Sequence, residues 1–474
     1  MVLETIDGDS MKKAYIETYG CQMNFSDSEI VTSILQSNGY GSTDIVKDAD
    51  IILINTCSIR DNAEKKVRKR LAQFQLLKKD NPRLVLGILG CMASRLKSQL
   101  LEEEQLVDIV VGPDSYRVLP RLINHAMNGQ DAVNVILSLE ETYADICPVR
   151  KNNQISAFIS ITRGCDNMCS FCIVPFTRGR ERSRDPKTIL KEATNLFKEG
   201  YREVTLLGQN VDSYLWFGGG AKKNMNKFPR ITNRLNFAEL LHMVAEINPE
   251  LRVRFSTSHP KDITDEVLRV MTKNSNICKH IHLPVQSGND DILRKMNRDY
   301  SRNWYLERVA SIRSLIPDCA ISTDIIAGFC GETEAQHSDT ISLMEKVNFN
   351  FAYMFKYSDR PGTTANRKFS DNISDDVKTR RLNEIIELQQ KHSLLWHRAA
   401  LNRTHKILVE GISKRSENCF FGRNSQNSVF VFPKDGTKIG DYINIKTKTC
   451  TSATLVGEIV QEKTLADGYN ATTN

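Results

Sequence analysis

Ile51-Ile52-Leu53-Ile54-Asn55-Thr56-Cys57 is an apolar run closed by a cysteine, and it has two companions in the chain. These are Tyr15-Ile16-Glu17-Thr18-Tyr19-Gly20-Cys21 and Leu84-Val85-Leu86-Gly87-Ile88-Leu89-Gly90-Cys91. Runs of this length and composition read as strands. Helical patterns at 26–37 and 62–79 separate them, and the alternation of strand and helix predicts a parallel sheet. Ligands of such sheets collect beyond the carboxyl ends of the strands, which is where all three cysteines fall. Three residues spaced about 35 positions apart are therefore expected at one place.

Further along, strands are predicted at 157–161, 203–207, 252–257, 280–285, 320–326 and 351–357, separated by helices at 186–198, 237–247, 263–272, 304–315 and 334–347. Six such units predict a partial (β/α)6 barrel, short of the eight that close a full one. The segment 216–236, with Gly218-Gly219-Gly220 and several Lys and Asn, reads as a mobile insertion. A charged helix over about 374–400 then gives way to five short alternating strands at 406–410, 419–422, 429–432, 442–446 and 455–459, a pattern of a small all-β barrel. The fold class is thus α/β with a carboxy-terminal β-barrel, and the expected units are 11–128, 151–392 and 395–463.

Composition agrees with a folded chain. At 474 residues it is long for one core, and at about 150 residues per domain it predicts roughly three. Hydrophobic residues make up 40% and charged residues 26%, which excludes a largely disordered protein. No apolar run is long enough to span a bilayer, and Met1 to Ser10 is acidic and polar rather than a basic segment leading an apolar one. A cytoplasmic protein without a membrane partner is expected. In that compartment the 12 cysteines stay reduced, which makes those at special spacings metal candidates. The formal charge of +7 suits an anionic partner such as nucleic acid, though on so large a chain it also suits a plain solvated surface.

The most specific chemistry lies in Cys165-Asp166-Asn167-Met168-Cys169-Ser170-Phe171-Cys172, just after the first predicted barrel strand. Thiolates at these offsets can wrap one iron-sulfur cluster within a short loop, whereas tetrahedral zinc would call for a fourth ligand close by, and none is there. Three protein ligands on a four-iron cube leave one iron open to a small molecule.

Cys-x3-Cys-x2-Cys in this position resembles the radical S-adenosylmethionine (SAM) superfamily. The stretch from Thr162-Arg163-Gly164-Cys165 to Arg180-Glu181-Arg182-Ser183-Arg184 is similar to the MiaB family of tRNA methylthiotransferases, as are Tyr19-Gly20-Cys21-Gln22-Met23-Asn24, Asn55-Thr56-Cys57, Gly90-Cys91 and Leu207-Gly208-Gln209-Asn210-Val211. The likeness covers nearly the whole chain, in the order of a methylthiotransferase domain, a radical SAM barrel and an RNA-gripping TRAM domain; the insertion is the main departure. It implies two 4Fe-4S clusters. One, on Cys165, Cys169 and Cys172, binds SAM and reduces it to a 5′-deoxyadenosyl radical; the other, on Cys21, Cys57 and Cys91, carries sulfur. It implies as substrate the tRNA anticodon stem-loop bearing N6-isopentenyladenosine at position 37, with one SAM as methyl donor. An electron donor such as flavodoxin or ferredoxin and a monomeric state complete the expectation.

By the same resemblance Phe171, Gly208, Gln209, Ser256, Asp324 and Glu332 are expected around SAM, although polar turns at strand ends account for several of them equally well. Arg178, Arg180, Arg182 and Arg184 alternate after the cluster loop and suit phosphate or the SAM carboxylate; ion pairing with Glu181 and Asp185 is the structural alternative. In the small β-domain Lys414, Arg415, Phe421 and Arg423, next to Phe420, combine charge with aromatics as RNA-stacking surfaces do. Cys147, Cys278, Cys319, Cys330, Cys419 and Cys450 follow no ligand pattern and are expected as small buried hydrophobes. Two other functions compete. One is a methylthiotransferase acting on threonylcarbamoyl-adenosine or on an aspartate of a ribosomal protein, which shares the six cysteines; the other is a non-catalytic iron-sulfur RNA-binding protein.

Overall fold

The computed structural model describes residues 11–57, 61–97, 99–103, 106–150, 154–227 and 234–460. The chain opens with six parallel strands: β1 (Lys13–Tyr19), β2 (Gly41–Ser42), β3 (Ile51–Thr56), β4 (Val85–Gly90), β5 (Ile109–Val111) and β6 (Ala132–Asn134), in the order β2-β1-β3-β4-β5-β6. The central strands β3 and β4 are buried along their whole length because helices cover both faces, which is why they read as unbroken apolar runs. Separate hydrophobic clusters fill the two faces. Register decides the chemistry: Tyr19, Thr56 and Gly90 lie side by side, so the residues that follow them emerge at one edge.

This first unit runs past the boundary at 128 expected from sequence. Strand β6 continues its sheet to Asn134, and Tyr143 lies in its core, stacked on Tyr116 at 5.7 Å. A three-residue strand carries too little periodicity to be read from sequence.

The second unit is the expected partial barrel. Its parallel strands are β7 (Ser156–Ser160), β8 (Glu203–Leu207), β9 (Arg252–Ser256), β10 (His280–His282), β11 (Ala320–Ala327) and β12 (Phe351–Lys356). The ladders β9-β8-β7 and β10-β11-β12 meet through a parallel bridge between Val253 and Ile277. Among the described residues β7 and β12 do not pair, so that side of the barrel is open. The main apolar core lies between strands and outer helices. The inward face is largely polar, with Glu203, Thr205, Arg252, Arg254, His282 and Ser322 among its residues.

The insertion is anchored rather than loose in its described part. Leu215–Trp216 pairs with Leu235–Asn236, and Lys222 donates from Nζ to the Ser213 carbonyl at 2.6 Å and pairs with Glu181 at 3.1 Å. Residues 228–233 lie outside the described residues.

A single helix, Asp375–Ala399, crosses the boundary expected at 392–395 and packs along β12, where Gln389 donates to the Phe349 carbonyl at 2.9 Å and Trp396 to that of Asn348 at 2.8 Å. It leads into β13 (Thr404–Ser413), β14 (Ser416–Arg423), β15 (Val429–Pro433), β16 (Tyr442–Cys450) and β17 (Leu455–Ile459), which close as β13-β14-β15-β17-β16 around Ile407, Val409, Phe420, Phe430, Phe432, Ile445 and Leu455. This small barrel sits at the amino-terminal ends of the large barrel's strands. Arg252 reaches Glu410 at 3.0 Å, and Arg254 donates to the Asn424 carbonyl at 2.7 Å. Burial alone would push the Glu203 carboxyl up, but the Arg254 and Arg252 guanidiniums beside it hold it at about 2.

Candidate functional site

Six thiols line one cavity of about 2040 Å³ that runs from the carboxyl ends of both sheets down the lumen of the large barrel to the small one. Cys21, Cys57 and Cys91 face it from the first sheet, and Cys165, Cys169 and Cys172 from the loop after β7. Backbone geometry places the thiols. Gly90 sits at φ +88°, and a Cβ there would stand 2.4 Å from Asn55 Oδ1, so only glycine lets β4 turn tightly into Cys91. Gly164, at φ +75°, does the same ahead of Cys165, where a Cβ would meet the Arg180 carbonyl oxygen at 2.2 Å. The loop is then pinned from outside. Ser170 donates to the Lys295 carbonyl at 2.7 Å, Asn297 donates to that of Met168 at 3.1 Å, and the Ala365 N–H donates to that of Ser170 at 2.7 Å.

Each triad has one buried arginine against one of its sulfurs. Arg178 donates from Nε to Cys91 Sγ at 3.1 Å, and Arg298 from Nη1 to Cys169 Sγ at 3.1 Å. A hydrogen bond from Cys57 lowers the Cys21 thiol to about 6 against the cost of burial, with help from the Arg178 charge. Burial pushes Cys91 and Cys165 up, and Cys172 up to about 12. Among the described residues no three His, Cys, Asp or Glu side chains are gathered to hold a single metal ion. A polynuclear iron-sulfur group, which takes thiolates spread around a cube, fits this donor set better. A second observation favours a bound group: Arg178 Nη1, Gln209 Oε1 and Thr257 Oγ1 are buried without a hydrogen-bond partner in residues that line the cavity.

The arginine run after the loop corrects the sequence reading. Arg178, Arg182 and Arg184 are buried, and none is placed to meet RNA phosphate. Arg178 binds Asp27 at 2.7 Å, Arg182 binds Asp114 at 2.9 Å, and Arg184 binds Glu192 at 2.5 Å. Asp27 also takes Arg163 at 2.9 Å, so the first two pairs weld the first sheet to the large barrel. The partners are not Glu181 and Asp185: Glu181 pairs with Lys222, and Asp185 caps the helix Pro186–Lys198. Arg180 alone stays partly open, 3.5 Å from Asp166.

Phe171, Gly208, Gln209, Ser256 and Asp324 all line the cavity. Gly208 is there for space, since a Cβ would stand 2.0 Å from Thr162 Oγ1. Asp324 lies 3.3 Å from His282. Glu332 is a correction: it is buried away from the cavity, accepting from the Gly328 N–H at 2.8 Å and from Arg381 at 3.0 Å. In the small barrel Lys414 and Arg415 are exposed at the β13–β14 hairpin and Phe421 is half-buried, whereas Arg423 is held by Glu410 at 2.7 Å and Phe420 fills the core. Of the other cysteines, Cys278, Cys319 and Cys330 are buried as expected, Cys419 and Cys450 are partly exposed, and Cys147 is exposed.

Sequence reasoning missed Asp27, Asn24 and Arg298. Asp27 carried a signal, an acid in helical register with Ile30, Val31 and Ile34 on a buried face, where a charge needs a partner. Asn24 and Asn55 hydrogen bond to each other at 3.1 Å behind the thiols. Arg298 had no local signal, being 129 positions from Cys169.

Residues 13–112 match the Uncharacterized protein family UPF0004, and residues 159–344 match the Radical SAM superfamily. The chain is 56% identical to the tRNA-2-methylthio-N(6)-dimethylallyladenosine synthase of Flavobacterium psychrophilum over 95% of both chains. It is 58% identical to that of Amoebophilus asiaticus, over 94% of this chain and 92% of the relative. The chain belongs to the tRNA-2-methylthio-N(6)-dimethylallyladenosine synthase family. Among solved structures, the radical S-adenosylmethionine methyltransferase TsrM from Kitasatospora setae aligns over 75% of this chain and 77% of its own, with a TM-score of 0.54 at 11% identity, a likeness of fold. No described helix is long and apolar enough to cross a membrane.

Proposed function

We propose that the chain converts N6-isopentenyladenosine at position 37 of tRNA to its 2-methylthio derivative, using one SAM as methyl donor and another as radical source. The observation that carries this reading is that two thiol triads from two different sheets face one cavity, in a chain of this family. In it Cys165, Cys169 and Cys172 hold one 4Fe-4S cluster and Cys21, Cys57 and Cys91 the other. When bound, the first supplies the electron that cleaves SAM and the second the sulfur that becomes the methylthio group.

The chain's own residues supply position and exclusion. Arg178 and Arg298 neutralise thiolate charge from the protein side, and the Asp27 ion pairs keep the two triads at a fixed separation. Gln209 and Thr257 offer buried acceptors to the SAM amino group, while Phe171, Ser256 and Asp324 form the walls around it. Such walls keep water from a reactive radical. Lys414, Arg415 and Phe421 meet RNA, and Arg180 meets phosphate. The working units are the first sheet, the large barrel and the small barrel, and the protein acts as a cytoplasmic monomer with a flavodoxin or ferredoxin as electron donor.

Incubating the reconstituted chain with SAM, a reductant and tRNA carrying isopentenyladenosine, followed by nucleoside mass spectrometry, tests this directly. The expected product is 2-methylthio-N6-isopentenyladenosine. Modification of threonylcarbamoyl-adenosine in its place, or of no nucleoside, rejects it.

A further inference from the structure

Strand β12 edges the open side of the large barrel and carries Phe351, Tyr353 and Phe355 at 49%, 47% and 37% exposure. They share a face with Ser322, Asp324 and Ile326, their partners on β11, and that face is the cavity wall. An exposed edge is ordinarily blunted by charge or covered, and a stripe of bare aromatic rings along one is costly unless something covers it. The helix Asp375–Ala399 packs along this strand yet leaves the rings open.

From the thiol-lined end of the cavity, where β12 finishes near Phe355, to the small barrel, where it begins near Phe351, the stripe spans four residue steps. At ~3.3 Å per step that is on the order of 13 Å. Rings on alternate residues stand ~6.6 Å apart, so the stripe offers room for about one base per ring. Cationic side chains line the cavity at both ends, Arg360 beyond Phe355 and Arg403 on the approach from the small barrel, while the charge of Lys356 is taken up by Asp375 at 2.8 Å. Tyr353 is braced edge-on by His282 at 5.6 Å and by Phe351 at 4.9 Å, so its ring is held in place before any ligand arrives.

We infer that Phe351, Tyr353 and Phe355 form a stacking wall for unpaired nucleobases of the tRNA loop, with the target adenosine at the Phe355 end and its neighbours trailing toward the small barrel. Aromatic rings projecting from a sheet beside cationic side chains suit single-stranded RNA because every base offers a π-face. The inference rests on the proposed function and adds how the loop is held.

The test uses the full chain and a synthetic anticodon stem-loop with 2-aminopurine replacing a base beside the target adenosine. Binding to the unaltered chain should change the probe's fluorescence. Tyr353→Leu and Phe351→Leu should each weaken binding about tenfold and diminish that change. Tyr353→Trp should preserve both, which separates loss of a ring from loss of fold. The salt dependence should keep its slope in the leucine variants, because no phosphate contact is removed. Unaltered RNA affinity in both leucine variants, as expected if the wall gripped an acidic protein loop instead, would overturn the wall alone. Failure of the unaltered chain to bind the stem-loop would overturn the function and the wall together.

Discussion

The two thiol triads solve one problem in opposite ways. Cys165, Cys169 and Cys172 come from eight consecutive residues, and their loop is stapled by its neighbours at Lys295, Asn297 and Ala365. Cys21, Cys57 and Cys91 come from three strands and meet only because parallel register brings Tyr19, Thr56 and Gly90 level. The first triad is a local motif in a rigid frame; the second is a product of tertiary structure. A distributed site can form only after its sheet has, and its ligand geometry inherits every strain in the strands beneath it.

The largest expected effects test whether the triads divide the labour. Cys169→Ala should abolish reductive SAM cleavage, because the loop loses a third of its ligands. Replacing Cys21, Cys57 and Cys91 together by Ala should remove about one cluster's worth of iron and sulfide, leave 5′-deoxyadenosine formation measurable, and eliminate the methylthio product. Methylthiolated adenosine from the triple variant would show that the sulfur comes from elsewhere.

The next effect concerns the weld. Asp27 is fully buried between the Arg163 and Arg178 guanidiniums, so Asp27→Ala leaves two buried cations short of their partner. Breaking a buried pair in this way costs about 3–5 kcal/mol. Urea unfolding should show that loss, and iron retention at the first sheet should fall with it. A stability change of less than about 1 kcal/mol, the scale of a surface pair, would mean that water reaches the site.

Smaller still is the contribution of the arginine that touches each triad. A hydrogen bond to a cluster sulfur favours the reduced, more negative state, so Arg298→Gln should lower the midpoint potential of the loop cluster and leave that of the other unchanged. Arg178→Gln should do the reverse. Redox titration followed by electron paramagnetic resonance reads both, and equal shifts in both clusters from either variant would show that the sites are not electrically separate.

The same contrast explains what was legible in the sequence. The strands of the first sheet could be read because burial on both faces leaves runs such as Ile51-Ile52-Leu53-Ile54 without polar interruption, and those of the large barrel because polar inward residues alternate with apolar outward ones, as in Arg252-Val253-Arg254-Phe255. The helix Gln22–Ser37 starts earlier than its pattern suggested because Cys21 precedes it without the side-chain cap that usually marks an entry. The loop cysteines were legible from spacing alone. The arginines were misassigned because alternation at Arg178, Arg180, Arg182 and Arg184 fixes a common face but not which acids oppose it, and Asp27 and Asp114 are contributed by the other sheet. Likewise nothing near Phe351-Ala352-Tyr353-Met354-Phe355 says that the strand is an edge; an inner strand would bury the same rings.

The smallest predicted effect separates Cys21 from Cys165 and Cys172 by proton affinity. In the metal-free chain Cys21 is lowered to about 6, first by the hydrogen bond from Cys57 and then by the Arg178 charge, while burial holds Cys165 and Cys172 protonated far above neutrality. A thiol at about 6 is mostly thiolate at pH 7 and mostly thiol at pH 5, so alkylation of Cys21 should slow about tenfold between them. Cys165 and Cys172 should stay nearly inert across that interval, since their titration lies well above it. Brief iodoacetamide treatment of the apoprotein at each pH, with peptide mass spectrometry, measures all three in one sample. Arg178→Gln should move the Cys21 transition upward by weakening its second support, without touching the hydrogen bond from Cys57. If Cys21 labelled no faster than Cys172 at pH 7, the first sheet would not hold Cys21 ready for metal, and the contrast between that thiolate and the protonated thiols of Cys165 and Cys172 would fall.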